Sequence, residues 1–181
     1  AISVSDAASK ANADTINAYT TGQVTLTSVS DTVANITLID GLTTSEVTMA
    51  GATVSVSDAA SLANANAING FTTGTVTLTS VSDTVANLAT LAAIDNGEVT
   101  IAGAAISVSD AASKANADTI NAYTTGQVTL TSVSDTVANI TAIDALTTSE
   151  VTMAAATVTV TDAATLTNAN ALNGFTTGTV T

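Results

Sequence analysis

Aspartate recurs at fixed places in this sequence, and its carboxylate is the group best suited to chemistry. A Ser-Asp or Thr-Asp pair occurs at regular intervals, with a shorter and a longer gap alternating, at Asp6, Asp31, Asp58, Asp83, Asp110, Asp135 and Asp162. Converging carboxylate oxygens can bind Ca²⁺, but these aspartates lack neighbours at ligand spacing, and the glycine-rich nonapeptide of calcium-binding β-rolls is absent. Aspartate also favours helix N-termini, where it accepts hydrogen bonds from free amides. We therefore expect a row of Asp N-caps, with calcium binding as the alternative.

Asparagine forms two further rows in the same repeating frame. The positions are Asn12, Asn64, Asn116 and Asn168 in one row, and Asn17, Asn69, Asn121 and Asn173 in the other. Side-chain amides can satisfy backbone groups that have no partner in a helix or sheet. Both rows are therefore expected to be structural, satisfying loop amides in one repeat after another.

Threonine forms Thr-x-Thr pairs at Thr25 and Thr27, at Thr77 and Thr79, and at Thr129 and Thr131. On the polar face of a flat sheet, this spacing resembles the ice-binding face of β-solenoid antifreeze proteins. Threonine is also an ordinary strand former. Ice binding is therefore an alternative hypothesis, and strand formation is the simpler interpretation.

Acid-base and nucleophilic catalysis have little support. The sequence contains no His and no Cys, so no Ser has an imidazole base and no thiol is available. Lys10 and Lys114 precede Asp14 and Asp118 at the i, i+4 spacing that is typical of weak surface ion pairs on a helix. We expect a protein that is not an enzyme and has no cofactor, apart from the calcium alternative.

The charge of the chain is one-sided. Fifteen acidic residues oppose two lysines, which gives a net charge of −13 over 181 residues. A field of this sign repels phosphate backbones and anionic membrane surfaces, so we expect no nucleic-acid partner. No apolar stretch approaches the ~20 residues that cross a bilayer, so we expect no membrane insertion.

The sequence consists of a repeat of about 26 residues that occurs in two alternating forms. In the long repeat the segment from the aspartate to the next strand valine runs from Asp6 to Val24, and in the short repeat it runs from Asp31 only to Val47. The two forms make a 52-residue double repeat, and residues 1–37 are identical to residues 105–141, a shift of two double repeats. We expect residues 1–181 to form a single repeat array that belongs to a longer chain.

Each repeat contains a strand pattern and a helix pattern. Segments such as QVTLT and EVTM alternate aliphatic residues with Thr, which is typical of strands. The alternation then slips out of phase, so each connector should contain a bulge, turn or corner. The segment after each aspartate favours a short helix, with Ala8, Ala11 and Ile16 as a weak apolar stripe in the long repeat. The pairs Asn69-Gly70 and Asn173-Gly174 are expected to stop helices.

These elements predict a right-handed α/β solenoid of about seven coils, each with short strands and one Asp-capped helix. An all-β solenoid is the alternative. One strand per coil predicts a curved stack, because strands lie ~4.8 Å apart while helices need about 8 to 10 Å. Two strand pieces per coil in one sheet would keep the stack nearly straight.

The segments VSDTVANI and VSVSDAASLANANAING resemble the Asp-Thr-Ala-Ala-Asn type repeats of very large bacterial surface and secreted proteins, cyanobacterial ones among them. The resemblance implies an extracellular or cell-surface location and an adhesin-like, surface-layer or filament-forming role. We therefore expect a structural protein that is a rigid stalk, a spacer or a self-assembling subunit. Its partners would be other copies of itself, end to end or side by side, or other surface components. A calcium-dependent adhesin segment is a further alternative.

Overall fold

A computed structural model describes residues 1–42, 46–94, 97–146 and 150–181. The strands of these residues are β1 (Ile2–Val4), β2 (Val24–Leu26), β3 (Ser28–Asp31), β4 (Val47–Thr48), β5 (Thr53–Ala60), β6 (Val76–Asp83), β7 (Val99–Thr100), β8 (Ala105–Ala112), β9 (Val128–Asp135), β10 (Val151–Thr152) and β11 (Thr157–Val160). The helices are α1 (Lys10–Asn17), α2 (Val33–Asp40), α3 (Leu62–Asn69), α4 (Val85–Ala93), α5 (Lys114–Asn121), α6 (Val137–Asp144) and α7 (Leu166–Phe175). One or two strands therefore precede each helix along the chain.

The fold is mixed α/β, with parallel strands, so the predicted fold class is confirmed at this level. The helices make the all-β alternative wrong. Inter-residue contacts divide the chain into two compact units: residues 1–80 with 91–101, and residues 81–90 with 102–181.

In the first unit, strands from successive repeats pair in parallel. Strand β2 lies between β1 and β4, with Val24 in register with both Ile2 and Val47. Strand β3 pairs with β5, and the start of β6 pairs with β7. The strand of each repeat therefore pairs with the strand of the next repeat.

In the second unit, β9 is the central strand. It pairs with β8 on one edge and with β10 and β11 on the other, all in parallel. The β8–β9 register shifts by one residue between Val108 and Ala111. The predicted irregularity is thus present in the connector.

The slip in the alternation is visible in the burial of β9. Val128 and Leu130 are buried on alternate positions, and the next buried residue, Val133, comes one position later than strict alternation requires. In the equivalent part of the first unit, β2 ends at Leu26 and β3 begins at Ser28, so the strand breaks at Thr27. Both arrangements keep the aliphatic residues on the buried side.

The long-repeat helices begin later than predicted. Strand β5 continues through Asp58 to Ala60, and α3 begins only at Leu62. In the first long repeat, Ala8 is buried and forms an isolated parallel bridge with Val29. The prediction that Ala8 belongs to a helix stripe is therefore wrong, because the extended segment uses this small side chain to pack against the neighbouring strand.

One of the two predicted helix stops is wrong. Helix α3 ends at Asn69, but α7 continues through Asn173 and Gly174 to Phe175. Gly70, the C-cap of α3, has φ −70°, close to the −66° of Ala18 at the same place in α1. Since the turn needs no left-handed residue, an Asn-Gly pair does not force a helix to end here.

The core is built from small aliphatic side chains. The short-repeat helices α2 and α6 each contribute two buried residues, such as Ile36 and Ile39 in α2. The long-repeat helices α3 and α5 contribute alanine beside isoleucine, such as Ala65 and Ile68 in α3. Helix α1 buries Ala13, and α7 buries Leu172. Among the described residues, no helix combines the length and the apolar character needed to cross a membrane.

Candidate functional site: contacts between repeats

The long-repeat aspartates bond to the helix of the preceding short repeat. The first amides of α2, α4 and α6 belong to Val33, Val85 and Val137, and they donate to Oδ1 of Asp58, Asp110 and Asp162, each at 2.8 Å. The residues in each bond are 25 positions apart. The first amides of a helix have no partner inside it, so each carboxylate completes a helix in the neighbouring repeat.

The short-repeat aspartates make a denser set of bonds. Oδ2 of Asp135 accepts from the Lys114 amide at 2.8 Å, and Lys114 is the first residue of α5. Oδ1 accepts from the Thr136 amide and from the Asn139 side chain, both at 2.8 Å. Asp31 makes the same three bonds with Lys10, Thr32 and Asn35. Both carboxylate oxygens are therefore used as acceptors.

The N-caps themselves are hydroxyl residues, so the prediction that each aspartate is the N-cap of its own helix is wrong. The observed N-caps are Ser9, Thr32, Ser61, Ser113, Thr136 and Thr165. In the short repeat the aspartate stands immediately before the N-cap, and in the long repeat it stands further upstream, as Asp58 does before Ser61. Because Ser or Thr caps the local helix, the carboxylate can bond to the adjacent repeat.

The remaining aspartates of the row fit this description in part. Oδ1 of Asp83 accepts from the Thr84 amide and the Asn87 side chain, both at 2.8 Å. Asp6 is exposed.

Hydrogen bonds control the acidity of the short-repeat aspartates. Partial burial acts to raise the pKa of Asp31, but the Asn35 side chain and the Lys10 and Thr32 amides outweigh it and hold the pKa below its ordinary value. Partial burial also acts to raise the pKa of Asp135. The hydrogen bonds from the Lys114 amide, the Asn139 side chain and the Thr136 amide outweigh it and lower that pKa. The bonds therefore favour the ionised carboxylate.

The asparagine rows lie at the two ends of the long-repeat helices. The first row forms capping boxes with the N-caps, because Asn12, Asn64, Asn116 and Asn168 accept from the N-cap amides at 2.9–3.0 Å. The amide that each satisfies thus belongs to its own helix and not to a neighbouring repeat. In the second row, Asn17, Asn69 and Asn121 are the last helical residues, and Asn173 lies inside α7.

The threonine pairs occupy the outer side of the strands. The second members, Thr27, Thr79 and Thr131, donate through Oγ1 to the carbonyls of Val4, Val56 and Val108 at 2.9, 2.7 and 2.7 Å. The first members lie in rows, with Thr25 beside Thr48, Thr77 beside Thr100, and Thr129 beside Thr152. Half of the predicted threonine face is therefore bonded to backbone.

A contact that the sequence analysis missed involves the Thr-Thr-Gly segments of the long repeat, which we call the Thr-Thr-Gly clasps. Thr-Thr-Gly occurs at residues 20–22, 72–74, 124–126 and 176–178, and the last three of these segments form the clasps. The first Thr of each is buried and donates to the carbonyl of Ala52, Ala104 or Ala156 at 2.5–2.6 Å. The same hydroxyl accepts from the clasp glycine at 2.9 Å. The second Thr amide donates to Ala50, Ala102 or Ala154 at 2.7–2.8 Å.

The clasp glycines lie directly against backbone. A Cβ on Gly126 would overlap the carbonyl of Ala104 and would lie 3.0 Å from the Ala105 nitrogen, and Gly74 has the same surroundings at Ala52 and Thr53. The clasp therefore brings two chain segments closer than any side chain permits. Its sequence signal is the recurrence of Thr-Thr-Gly at one place in every long repeat.

Replacing Thr124 with valine should reduce the free energy of unfolding by about 1–3 kcal/mol, because the buried Ala104 carbonyl would lose its donor and the partly buried Gly126 amide its acceptor. Urea denaturation followed by circular dichroism measures the change. Thr125→Val is the matched control, because it removes an exposed hydroxyl whose bond to the Ala102 carbonyl water can replace. The Thr125 amide bond to the same carbonyl survives. Equal losses in the two variants would contradict the proposed importance of the buried hydroxyl.

The described residues hold little that could perform chemistry. They contain no group of three or more acidic, His or Cys side chains arranged to hold a metal ion. One cavity of about 200 Å³ is lined by Asn69, Thr72, Thr73, Gly74 and Glu98, and its lining has a single carboxylate. Ligand pockets are typically about 300–1,000 Å³, so this cavity is smaller than a usual ligand pocket.

The predicted ion pairs are confirmed, with Lys10–Asp14 and Lys114–Asp118 both at 2.6 Å.

The chain matches no protein-family model, no curated protein and no solved structure.

Proposed function

We propose that residues 1–181 form one segment of a rigid, acidic, right-handed α/β solenoid with a structural role. It would serve as a stalk, a spacer or a subunit of a filament or surface layer, outside a bacterial cell. In this proposal the protein is not an enzyme, and its partners are further copies of itself or other surface components.

The observation that carries the proposal is the recurrence of the same bonds between successive repeats. Carboxylate-to-amide bonds join residues 21 or 25 positions apart in both units. Threonine-to-carbonyl bonds join residues 20 or 23 positions apart in both units. Bonds that depend only on the adjacent repeat can be extended by adding repeats, so length and stiffness would scale with repeat number.

The surface chemistry supports a structural role. Asp31 and Asp135 each accept three hydrogen bonds, from two backbone amides and one asparagine side chain. A carboxylate that accepts three internal hydrogen bonds is poorly placed to coordinate calcium or to transfer protons. Strong net negative charge keeps an extended protein solvated.

Small-angle X-ray scattering on arrays that differ by whole 52-residue double repeats tests the proposal. We expect the maximum dimension to grow linearly, by about 10 Å for each added double repeat, because two parallel strands advance by about 9.6 Å. A radius of gyration that instead grows with roughly the 0.38 power of chain length would indicate compact domains and contradict the proposal.

Ice binding is a second candidate, favoured by the rows of hydroxyl residues in register, such as Ser107, Thr129 and Thr152. Thermal hysteresis of the segment, compared with a variant carrying Thr129→Val, is the measurement. Freezing-point depression in the original chain, reduced in the variant, would favour ice binding over a purely mechanical role.

A further inference from the structure

We propose that the outer side of the strands is the surface through which two copies of this chain associate side by side. In the second unit this surface, which we call the hydroxyl face, consists of Ser107, Thr129, Ser132, Ser134, Thr152, Thr157 and Thr159. The inference rests on the proposed structural function and specifies its partner as a second copy.

The hydroxyl face is uniform because strand register aligns its members. Ser107 pairs with Thr129, which pairs with Thr152 on the other edge of β9. Ser132 pairs with Thr157, and Ser134 with Thr159. The first unit aligns hydroxyl residues in two sheets, with Ser3, Thr25 and Thr48 in one, and with Ser28 beside Thr53 and Ser30 beside Ser55 in the other. All the named residues of the second unit are half-buried or exposed.

Charge distinguishes this face from the rest of the molecule. Outward positions on the second unit's strands carry Ser, Thr or Ala, except for Asp83, Asp110 and Asp135, whose carboxylates already accept hydrogen bonds from backbone amides. The other charged residues of that unit's described part lie on helices or in turns, among them Lys114, Asp118 and Asp144. Two chains with a net charge of −13 repel each other. The hydroxyl face is where they can approach with the least repulsion.

The side chains of the face suit contact between sheets. Rows of hydroxyls repeat every ~4.8 Å, and packed sheets lie about 10 Å apart, a distance that small Ser and Thr side chains can fill. Thr157 already donates to the Ser132 hydroxyl at 3.1 Å, so the face contains both donors and acceptors. Weak contacts in each row add when many rows engage together. The association should therefore strengthen with repeat number and with salt.

Sedimentation velocity over a range of protein and NaCl concentrations tests the proposal. We expect the folded chain to dimerise more strongly as salt rises, because screening weakens the repulsion between copies. The double variant Thr129→Glu, Thr157→Glu should raise the dissociation constant roughly ten-fold or more, because like charges that face each other across an interface oppose association. The matched control is Thr119→Glu, Thr141→Glu, which adds the same charge to exposed helix positions. Circular dichroism confirms that each variant is folded.

Each outcome decides. Association that survives in the helix variant and is lost in the strand variant supports the hydroxyl face. A chain that remains monomeric at high salt, equal loss in both variants, or association that neither variant weakens would overturn it. Ice shaping without dimerisation would also overturn it and assign the face to ice. The scattering experiment separates the two proposals, because linear growth of a monomer would leave the structural function standing while this inference fails.

Discussion

Replacing Gly126 with alanine should lower the free energy of unfolding by about 2–3 kcal/mol, the upper range for overpacking. The new Cβ would overlap the Ala104 carbonyl and crowd the Ala105 nitrogen. These are backbone atoms, so no side-chain rotation can make room. The clasp would have to separate from the preceding repeat and stretch the Thr124 bonds to Ala104 and Gly126, now 2.6 and 2.9 Å long. Urea denaturation of the purified chain measures the loss.

Gly103 offers a matched control in the same repeat contact. A Cβ there would meet nothing within 4 Å, and its φ is not positive. Alanine already occupies the equivalent position at Ala155. Gly103→Ala should therefore be neutral or stabilise by up to about 1 kcal/mol, through a less flexible unfolded chain. If Gly103→Ala and Gly126→Ala destabilised the chain equally, close backbone approach could not explain the clasp.

Replacing Asp135 with asparagine should destabilise the second unit by about 2 kcal/mol at neutral pH, within the range for hydrogen bonds to charged groups. The carboxylate accepts from Lys114, Thr136 and Asn139 through both of its oxygens. An asparagine side chain has one oxygen, so its amide nitrogen would face a donor. Partial exposure lets water replace some of the lost bonding, which keeps the expected loss near the lower part of that range.

The effect of Asp135→Asn should depend on pH in a defined direction. The pKa of Asp135 is lowered from 3.8 in the folded chain, so the unfolded state binds more protons and stability rises with pH in that region. The stabilisation is complete above about pH 4 and is lost as pH falls through the folded pKa. Burial raises the pKa of Asp40, which has the opposite sign, but both proteins share that residue. The difference between them should therefore disappear in strong acid.

Asp118→Asn controls for the loss of one negative charge. Among the described residues, the Asp118 side chain bonds only to Lys114, in an exposed ion pair, so its replacement should cost a few tenths of a kcal/mol. Denaturation curves of the three proteins across acid and neutral pH complete the test. A loss in Asp135→Asn that matched the control, or that persisted unchanged in acid, would contradict the role of its hydrogen bonds.

The period and the element types could be predicted from the sequence because they are local properties. Alternating Val and Thr predicts strands such as Val128–Asp135, and the segment after each aspartate favours a helix such as Val137–Asp144. Both are found. The sequence alone could not show which residue caps each helix, because Ser, Thr and Asp are all good N-caps. Which one caps the helix depends on where the strand ends, and pairing with the next repeat decides that point.

The bonds between repeats were beyond sequence reasoning for a related reason. Asp58 and Val33 are 25 positions apart, and no local pattern indicates that the Val33 amide donates to the Asp58 carboxylate. The tight fit of Gly126 likewise depends on the position of Ala104, which belongs to a distant part of the sequence. Such contacts follow from the register of one repeat on the next, which becomes visible only in the folded chain.

The carboxylate bonds always join a long repeat to a short one, and this pairing has an evolutionary consequence. Asp135 of a short repeat bonds to Lys114 of a long one, while Asp162 of a long repeat bonds to Val137 of a short one. Gain or loss of a single repeat would place two long repeats or two short repeats side by side, and the clasp would then lack its matching segment. Unequal crossing-over would then be tolerated only when it adds or removes repeats in pairs. Copy number in such a gene would vary in whole double repeats, with each duplication inheriting a complete set of partners.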